Sequence, residues 1–196
     1  EVYREFTFDG RKHVSAFHFE GIEDRLIIVD SISKRYSACG ARIGVLVTKN
    51  KEFSKGVLKF AQARLCPPET SQYGAIGLLK LGDEYTNSVR DEYQKRRDAT
   101  YEAMKKIPGV VVHKPEGAFY LAAKLPVDNA EDFIIWMLKE FNINGKTTMA
   151  SPLNGFYVTP GAGVSEIRIA YVLESEKLTE AVEILGEGIN EYNKSK

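Results

Sequence analysis

The sequence predicts an α/β fold in two parts, on three observations. Two short runs rich in β-branched residues, 25–29 and 42–48, read as strands buried on both faces. Helical patterns follow them directly. Beyond a long helix near residue 87 lies a block of about 110 residues that alternates strands and helices in an α+β, antiparallel manner.

The elements follow in order. Glu1-Val2-Tyr3 reads as the tail of a strand already under way, so the chain is expected to be a piece of something longer. Residues 30–41 form a loop of small residues between the two strands. Residues 50–63 are expected to be helical, and Pro67-Pro68 breaks the chain. A second helix is expected over 70–81. Asn87 or Ser88 is the expected cap of the long helix, which runs to Lys106 with Val89, Tyr93, Thr100, Met104 and Ile107 on its buried side. Pro108-Gly109 stops it.

Residues 110–113 and 118–122 read as strands joined by a turn at 114–117. Residues 129–132 have the form of a capping box opening a helix that buries Phe133, Trp136, Met137 and Phe141. Residues 167–171 alternate as a strand, with Ile167, Ile169 and Tyr171 on one side and Arg168 on the other. Ser175 is the expected cap of a last helix burying Leu178, Val182, Leu185, Ile189 and Tyr192. The domain border is expected between residues 1–86 and 87–196.

Composition excludes several classes. The 196 residues carry 27 basic and 27 acidic side chains, so the surplus of Lys and Arg on which nucleic-acid or anionic-membrane binding rests is absent. No apolar run approaches the ~20 residues of a membrane helix. Cys39 and Cys66 lack CxxC spacing, which speaks against a zinc ribbon and fits a reducing, cytoplasmic setting. His13, His18 and His113 lack the spacing of zinc ligands, so no metal is expected.

The segment with chemical content is 31–44. Lys34 sits in a small-residue loop between two apolar strands. A desolvated lysine loses its proton more readily and becomes a nucleophile toward carbonyls. Arg42 enters the next strand, where a permanent cation can hold a phosphate bidentately. Ser31 adds a hydroxyl. An amine beside a phosphate site suits pyridoxal phosphate, which has an aldehyde to condense and a phosphate to anchor. The same spacing also suits a surface loop with a solvated Lys and Arg, and spacing alone does not separate the two.

The pattern Ser31-x-x-Lys34-x-x-x-x-x-Gly40-x-Arg42-x-Gly44 resembles the active-site lysine motif of the fold-type-I pyridoxal-phosphate aminotransferases of class I/II, the aspartate aminotransferase family. Further segments agree in order. Residues 115–120 (PEGAFY) are similar to the start of that family's small domain. Residues 160–163 (PGAG) and 166–169 (EIRI) are similar to its C-terminal signature, and Glu1-Val-Tyr3 to the tail of its Asp-Glu-x-Tyr motif.

The resemblance covers essentially the whole chain and corresponds to the C-terminal half of such an enzyme. It implies the last part of a three-layer α/β/α cofactor domain plus the small α+β domain. By that resemblance Lys34 condenses with the cofactor aldehyde and shuttles a proton. Ser31 and Arg42 bind its phosphate, Tyr3 donates to its ring oxygen, and Arg168 pairs with the substrate α-carboxylate. The resemblance further implies a homodimer using an α-amino acid, with aspartate the family-level expectation, and a 2-oxo acid.

The family's carboxylate for the pyridine nitrogen would fall one residue before Glu1. Its phosphate-binding glycine turn, ring-stacking aromatic and Asn belong to the other half. The 196 residues alone are therefore expected not to transaminate at a useful rate.

Other readings share these motifs. Carbon–sulfur lyases and aminocyclopropane-carboxylate-synthase-like enzymes keep the Lys and both Arg positions. Aminotransferase-like domains also act as non-catalytic effector modules of transcription regulators. Among weaker features, Gly161-Ala-Gly163 precedes a strand instead of following one, unlike a dinucleotide-binding turn. Lys95-Arg96-Arg97, interleaved with Asp91, Glu92 and Asp98, reads as a solvated face. Cys39 reads as a small packing residue, and Tyr36 as lining either the site or a subunit border.

Overall fold

The computed structural model describes residues 1–195. The chain divides into two compact units, Glu1–Asp91 and Glu92–Lys196.

In the first unit, strand β1 (Ile27–Ser31) pairs antiparallel with β2 (Gly44–Thr48), placing Ile28 opposite Val47 and Asp30 opposite Val45. The link between them contains a one-turn helix, α1 (Ile32–Arg35), and a 3-10 turn at Cys39–Ala41. Helix α2 (Lys51–Arg64) starts where the Asn50 side chain accepts the Phe53 N–H at 2.8 Å. It ends at Leu65, whose positive φ of 71° turns the chain before Pro67-Pro68. Helix α3 (Glu69–Leu78) follows. Ile32, Tyr36 and Ala75 form the core of this unit, with Ala38, Ala41, Ile43, Leu78 and Tyr85 packed against them. Tyr36 stacks on Tyr85 at 5.9 Å, so it is a core residue of this unit.

Two sequence expectations need correction here. The strands are not buried on both faces: Ile28 is buried, but Val29 is 59% exposed, and Ile27, Val45, Leu46 and Val47 are exposed as well. Only two strands are paired in this sheet among the described residues, so its apolar faces lack the layers that the composition anticipates. Residues 2–5 form a turn and not a strand end, because Arg4 N–H and Phe6 N–H bond back to the Glu1 and Tyr3 carbonyls.

Helix α4 (Asp83–Met104) contains the division between the units. It starts four residues before the expected Asn87 cap. Asp83 and Glu84 put negative charge on the first turn, and Ser88 satisfies its hydroxyl on the Tyr85 carbonyl at 2.8 Å. The apolar spacing holds toward its end, where Thr100, Met104 and Ile107 are buried.

The second unit is an antiparallel sheet of order β3-β4-β6-β5: β3 (Val111–Val112), β4 (Tyr120–Lys124), β5 (Ser151–Pro152) and β6 (Glu166–Ala170). Leu121, Ala123 and Ile167 are buried on its inner face. Helix α5 (Ala130–Lys139) is capped by Asn129 Oδ1, which accepts the Glu131 N–H at 2.9 Å. Its Phe133 and Met137 are buried, and Trp136 stacks on Phe141 at 5.3 Å. Helix α6 (Ser175–Lys194) buries Leu178, Val182, Leu185, Ile189 and Tyr192 as the spacing requires. Its cap position is Glu174; Ser175 is the first helical residue, and its carbonyl accepts the Thr179 hydroxyl. No helix of the described residues is long and apolar enough to cross a membrane.

Candidate active site

β1 ends at Ser31, whose extended backbone (φ −156°, ψ 148°) lets its side chain cap α1. Ser31 Oγ accepts the Ser33 N–H at 3.1 Å and lies 2.8 Å from both Ser33 Oγ and the Ile43 carbonyl oxygen. Ile32 and Tyr36 bury one side of the one-turn helix in the core, leaving Lys34 half-buried on it. The chain then turns through Cys39–Ala41 to Arg42, which is held in the left-handed region at φ 55°. Such a conformation costs a non-glycine residue of order 1–2 kcal/mol. It persists here with Arg42 Nη1 donating to the Cys39 carbonyl at 2.9 Å. Gly44 has a steric reason: a Cβ there would stand 3.1 Å from the Asp30 carbonyl of the paired strand.

An open groove of about 410 Å³ runs along this segment, lined by Ser31, Ser33, Arg42, Asp30 and Val2 among others. Of the residues expected at the site, Ser31 and Arg42 are brought together here. Lys34 follows Ser33 directly but is not in the lining, and Tyr3 lies in the turn of residues 2–5, edge-on to Phe6 at 6.1 Å. Two hydroxyls and a guanidinium on one groove form a donor set suited to an anionic group such as a phosphate.

A neighbouring charge network was not anticipated. The buried Arg35 places Nη2 2.8 Å from Asp30 Oδ2 and Nε 3.3 Å from Glu5 Oε1, while Asp30 Oδ1 accepts the Ser31 N–H at 2.8 Å. Removing such a cation from water requires pairing. The network thereby fixes the β1–α1 junction that presents Ser31 and Lys34. Its sequence signal is faint, since Arg35 lies beside an equally basic Lys34 and Glu5 is 30 residues away. Cys39 is exposed and is not the packing residue that its small size suggested.

Arg168 lies in the second unit, on β6, opposite Ala122 of β4 and Ser151 of β5. Its guanidinium lies over the ring of Tyr120, at 4.4 Å, and over that of Phe156, at 4.8 Å. Ring contacts of this kind hold a guanidinium by its π-face, and the planar N–H fork has the geometry of a carboxylate partner. Tyr157 donates to Glu166 Oε2 nearby at 2.5 Å, and this hydrogen bond to the carboxylate holds the phenol above its ordinary range. Gly163 of the 160–163 motif is required: φ is +72°, and a Cβ would meet the Tyr157 ring at 2.5 Å.

Residues 1–185 match the family described as aminotransferase class I and II. An aspartate aminotransferase of Sulfurisphaera tokodaii is 29% identical over 97% of this chain and 47% of its own length. An aromatic aminotransferase structure from Pyrococcus horikoshii superposes with TM-score 0.83 at 28% identity, covering 98% of this chain and 50% of its own. An alpha-aminoadipate aminotransferase from Thermus thermophilus, solved in complex with N-(5'-phosphopyridoxyl)-L-leucine, superposes with TM-score 0.82 at 26% identity over 97% and 49%. The chain thus spans about half the length of the relatives it matches. With the motifs of residues 31–44, 115–120 and 160–169 all inside the matched region, the chain belongs to the class I and II aminotransferase family.

Proposed function

We propose that the chain is part of a pyridoxal-phosphate-dependent aminotransferase that moves an amino group from an α-amino acid to a 2-oxo acid. Residues 1–86 are read as the C-terminal portion of its large cofactor domain and 87–196 as its small domain. One observation carries the reading: Ser31, Ser33 and Arg42 line one groove, directly adjoining Lys34. Family membership supports it.

When bound, pyridoxal phosphate supplies an aldehyde and an electron-withdrawing ring. Lys34 would contribute the amine for that aldehyde and the group that moves a proton at the substrate carbon. The Ser31 hydroxyl and the Arg42 guanidinium, which now donates to the Cys39 carbonyl, would hold the phosphate through charge-assisted hydrogen bonds. Tyr3 donates its phenol to the ring oxygen. Arg168, lying over the rings of Tyr120 and Phe156, would take the α-carboxylate with its N–H fork. The protein acts as a homodimer. Its amino acid is left open between the aspartate, aromatic and α-aminoadipate types named for the relatives.

The test is reduction with borohydride in the presence of pyridoxal phosphate, followed by peptide mass mapping. A pyridoxyl adduct concentrated on Lys34, and reduced in Arg42→Ala, is the expected result. Labelling scattered over surface lysines would overturn the assignment. The same 196 residues are expected to show no useful transaminase turnover in a coupled spectrophotometric assay.

A further inference from the structure

We propose that Arg97 is a positioning residue: from the interior of the second unit it holds the turn of residues 115–120 so that the Tyr120 ring lies against the Arg168 guanidinium. The relevance to substrate rests on the reading of Arg168 as the carboxylate-binding residue; the geometry does not.

Arg97 belongs to the run Lys95-Arg96-Arg97, expected to be a solvated face. That expectation fails for Arg97, which is fully buried while Lys95 is exposed. A buried guanidinium is stable only where the fold pairs it. Arg97 Nη1 donates to the Pro115 carbonyl at 2.7 Å, and Nε stands 2.8 Å from Asp98 Oδ1 as a close ion pair. Asp98 in turn lies 3.0 Å from Lys114 Nζ. Two successive residues of α4 therefore grip Lys114 and Pro115, where the turn begins.

The far end of the turn is held separately. The Tyr171 hydroxyl donates to the Ala118 carbonyl at 3.0 Å, and the Tyr171 N–H donates to the Phe119 carbonyl at 3.0 Å. Between these anchors Ala118 adopts φ +60°, a left-handed conformation that an alanine keeps only where its surroundings impose it. That twist sends Phe119 into the core beside Tyr93, at 5.6 Å, and sets Tyr120 against Phe119 at 4.8 Å. Tyr120 then begins β4 and meets Arg168 at 4.4 Å. Through the Pro115 carbonyl Arg97 acts on the backbone of the turn.

The readout is NMR of the isotope-labelled 196-residue chain. Protons of Arg168 lying over two aromatic faces are shifted upfield by ring currents. In Arg97→Gln these shifts are expected to collapse toward random-coil values, with the Trp136 indole signal unchanged; Arg97→Lys, which can keep one of the two grips, should fall between. Unchanged Arg168 shifts in Arg97→Gln would overturn the proposal. If that variant does not fold, Arg97→Lys decides: Arg168 shifts identical to those of the unmodified chain would overturn the proposal equally.

A succinate titration followed at the Arg168 Nε–H separates the two readings. Arg97→Gln should raise the apparent Kd about 2- to 5-fold, the worth of one guanidinium–ring contact. No response of Arg168 to succinate in the unmodified chain would remove the carboxylate role and leave the positioning result intact. A response with equal Kd in both forms would overturn positioning for binding.

Discussion

Tyr171 shows how much a single side chain can report. It is fully buried, its hydroxyl is committed to the Ala118 carbonyl, and burial pushes the phenol well above its ordinary range, with Arg97 pulling it down and Asp98 pushing it up. The folded pKa thus exceeds the unfolded value of about 10. The stability held by the neutral phenol is fully present below that unfolded value and is lost as pH rises beyond it. The urea midpoint is expected to fall more steeply between pH 10 and 11 in the unmodified chain than in Tyr171→Phe. Lys105 and Lys194, raised by hydrogen bonds to Glu102 and Glu191, contribute to both slopes and cancel in the comparison. At neutral pH the substitution should cost about 0.5–1.5 kcal/mol, the net worth of the lost hydrogen bond. Equal slopes would show that the phenol titrates alike in both states.

At the residue scale the sequence signals local surroundings and not distant pairings. Ser31, Lys34 and Arg42 stand out because small residues and apolar strands surround them. Arg35 and Arg97 do not, since Glu5 and the Pro115 carbonyl, which complete their pairing, are distant in sequence, and a charged letter next to other charged letters looks solvated.

At the scale of elements, period and cap chemistry were informative because both are local. The five apolar positions of α6 repeat at helical spacing and are all buried, and Asn50 and Asn129 cap the helices they precede. The start of α4 was misplaced because Asn87 and Ser88 look like caps; in fact Ser88 bonds back within the helix. Packing between elements has no local signature. Gly188 is an example: a Cβ there would stand 2.2 Å from Met137 Sδ and 3.3 Å from Phe141 Cε1, so α5 and α6 approach closely at this glycine. Met137 is itself fully buried, so its side chain would have to repack within the core. Gly188→Val should therefore destabilise by about 1–3 kcal/mol, the usual cost of overpacking. Its gain in helix propensity, a few tenths of a kcal/mol, does not offset that. Gly74→Ala on α3, where nothing lies within 4 Å, should instead stabilise by about 0.5–1 kcal/mol. Thermal unfolding of the two variants checks both signs, and a neutral Gly188→Val would mean that the α5–α6 contact yields freely.

For the molecule as a whole, the informative mismatch is between what the strands encode and what covers them. Apolar runs at 25–29 and 42–48 describe a sheet interior, yet Ile27, Val29 and Leu46 are exposed, and the register places Val29 and Leu46 side by side on one face. Phe60 and Leu65 of the neighbouring α2 region are 80% and 73% exposed. Contiguous apolar surface of this kind marks a site of contact, and the chain spans about half of the relatives whose architecture it shares. The prediction is that the 196-residue chain binds the dye ANS strongly at neutral pH while remaining folded. Lysines at Val29 and Leu46 place charge on that face without disturbing a buried contact. The double substitution should cut dye fluorescence by more than half and lower self-association in sedimentation, leaving the thermal midpoint within a few degrees because exposed positions change stability little. Undiminished dye binding would show that the apolar surface lies elsewhere. A large drop in the midpoint would show that these two side chains are covered in solution.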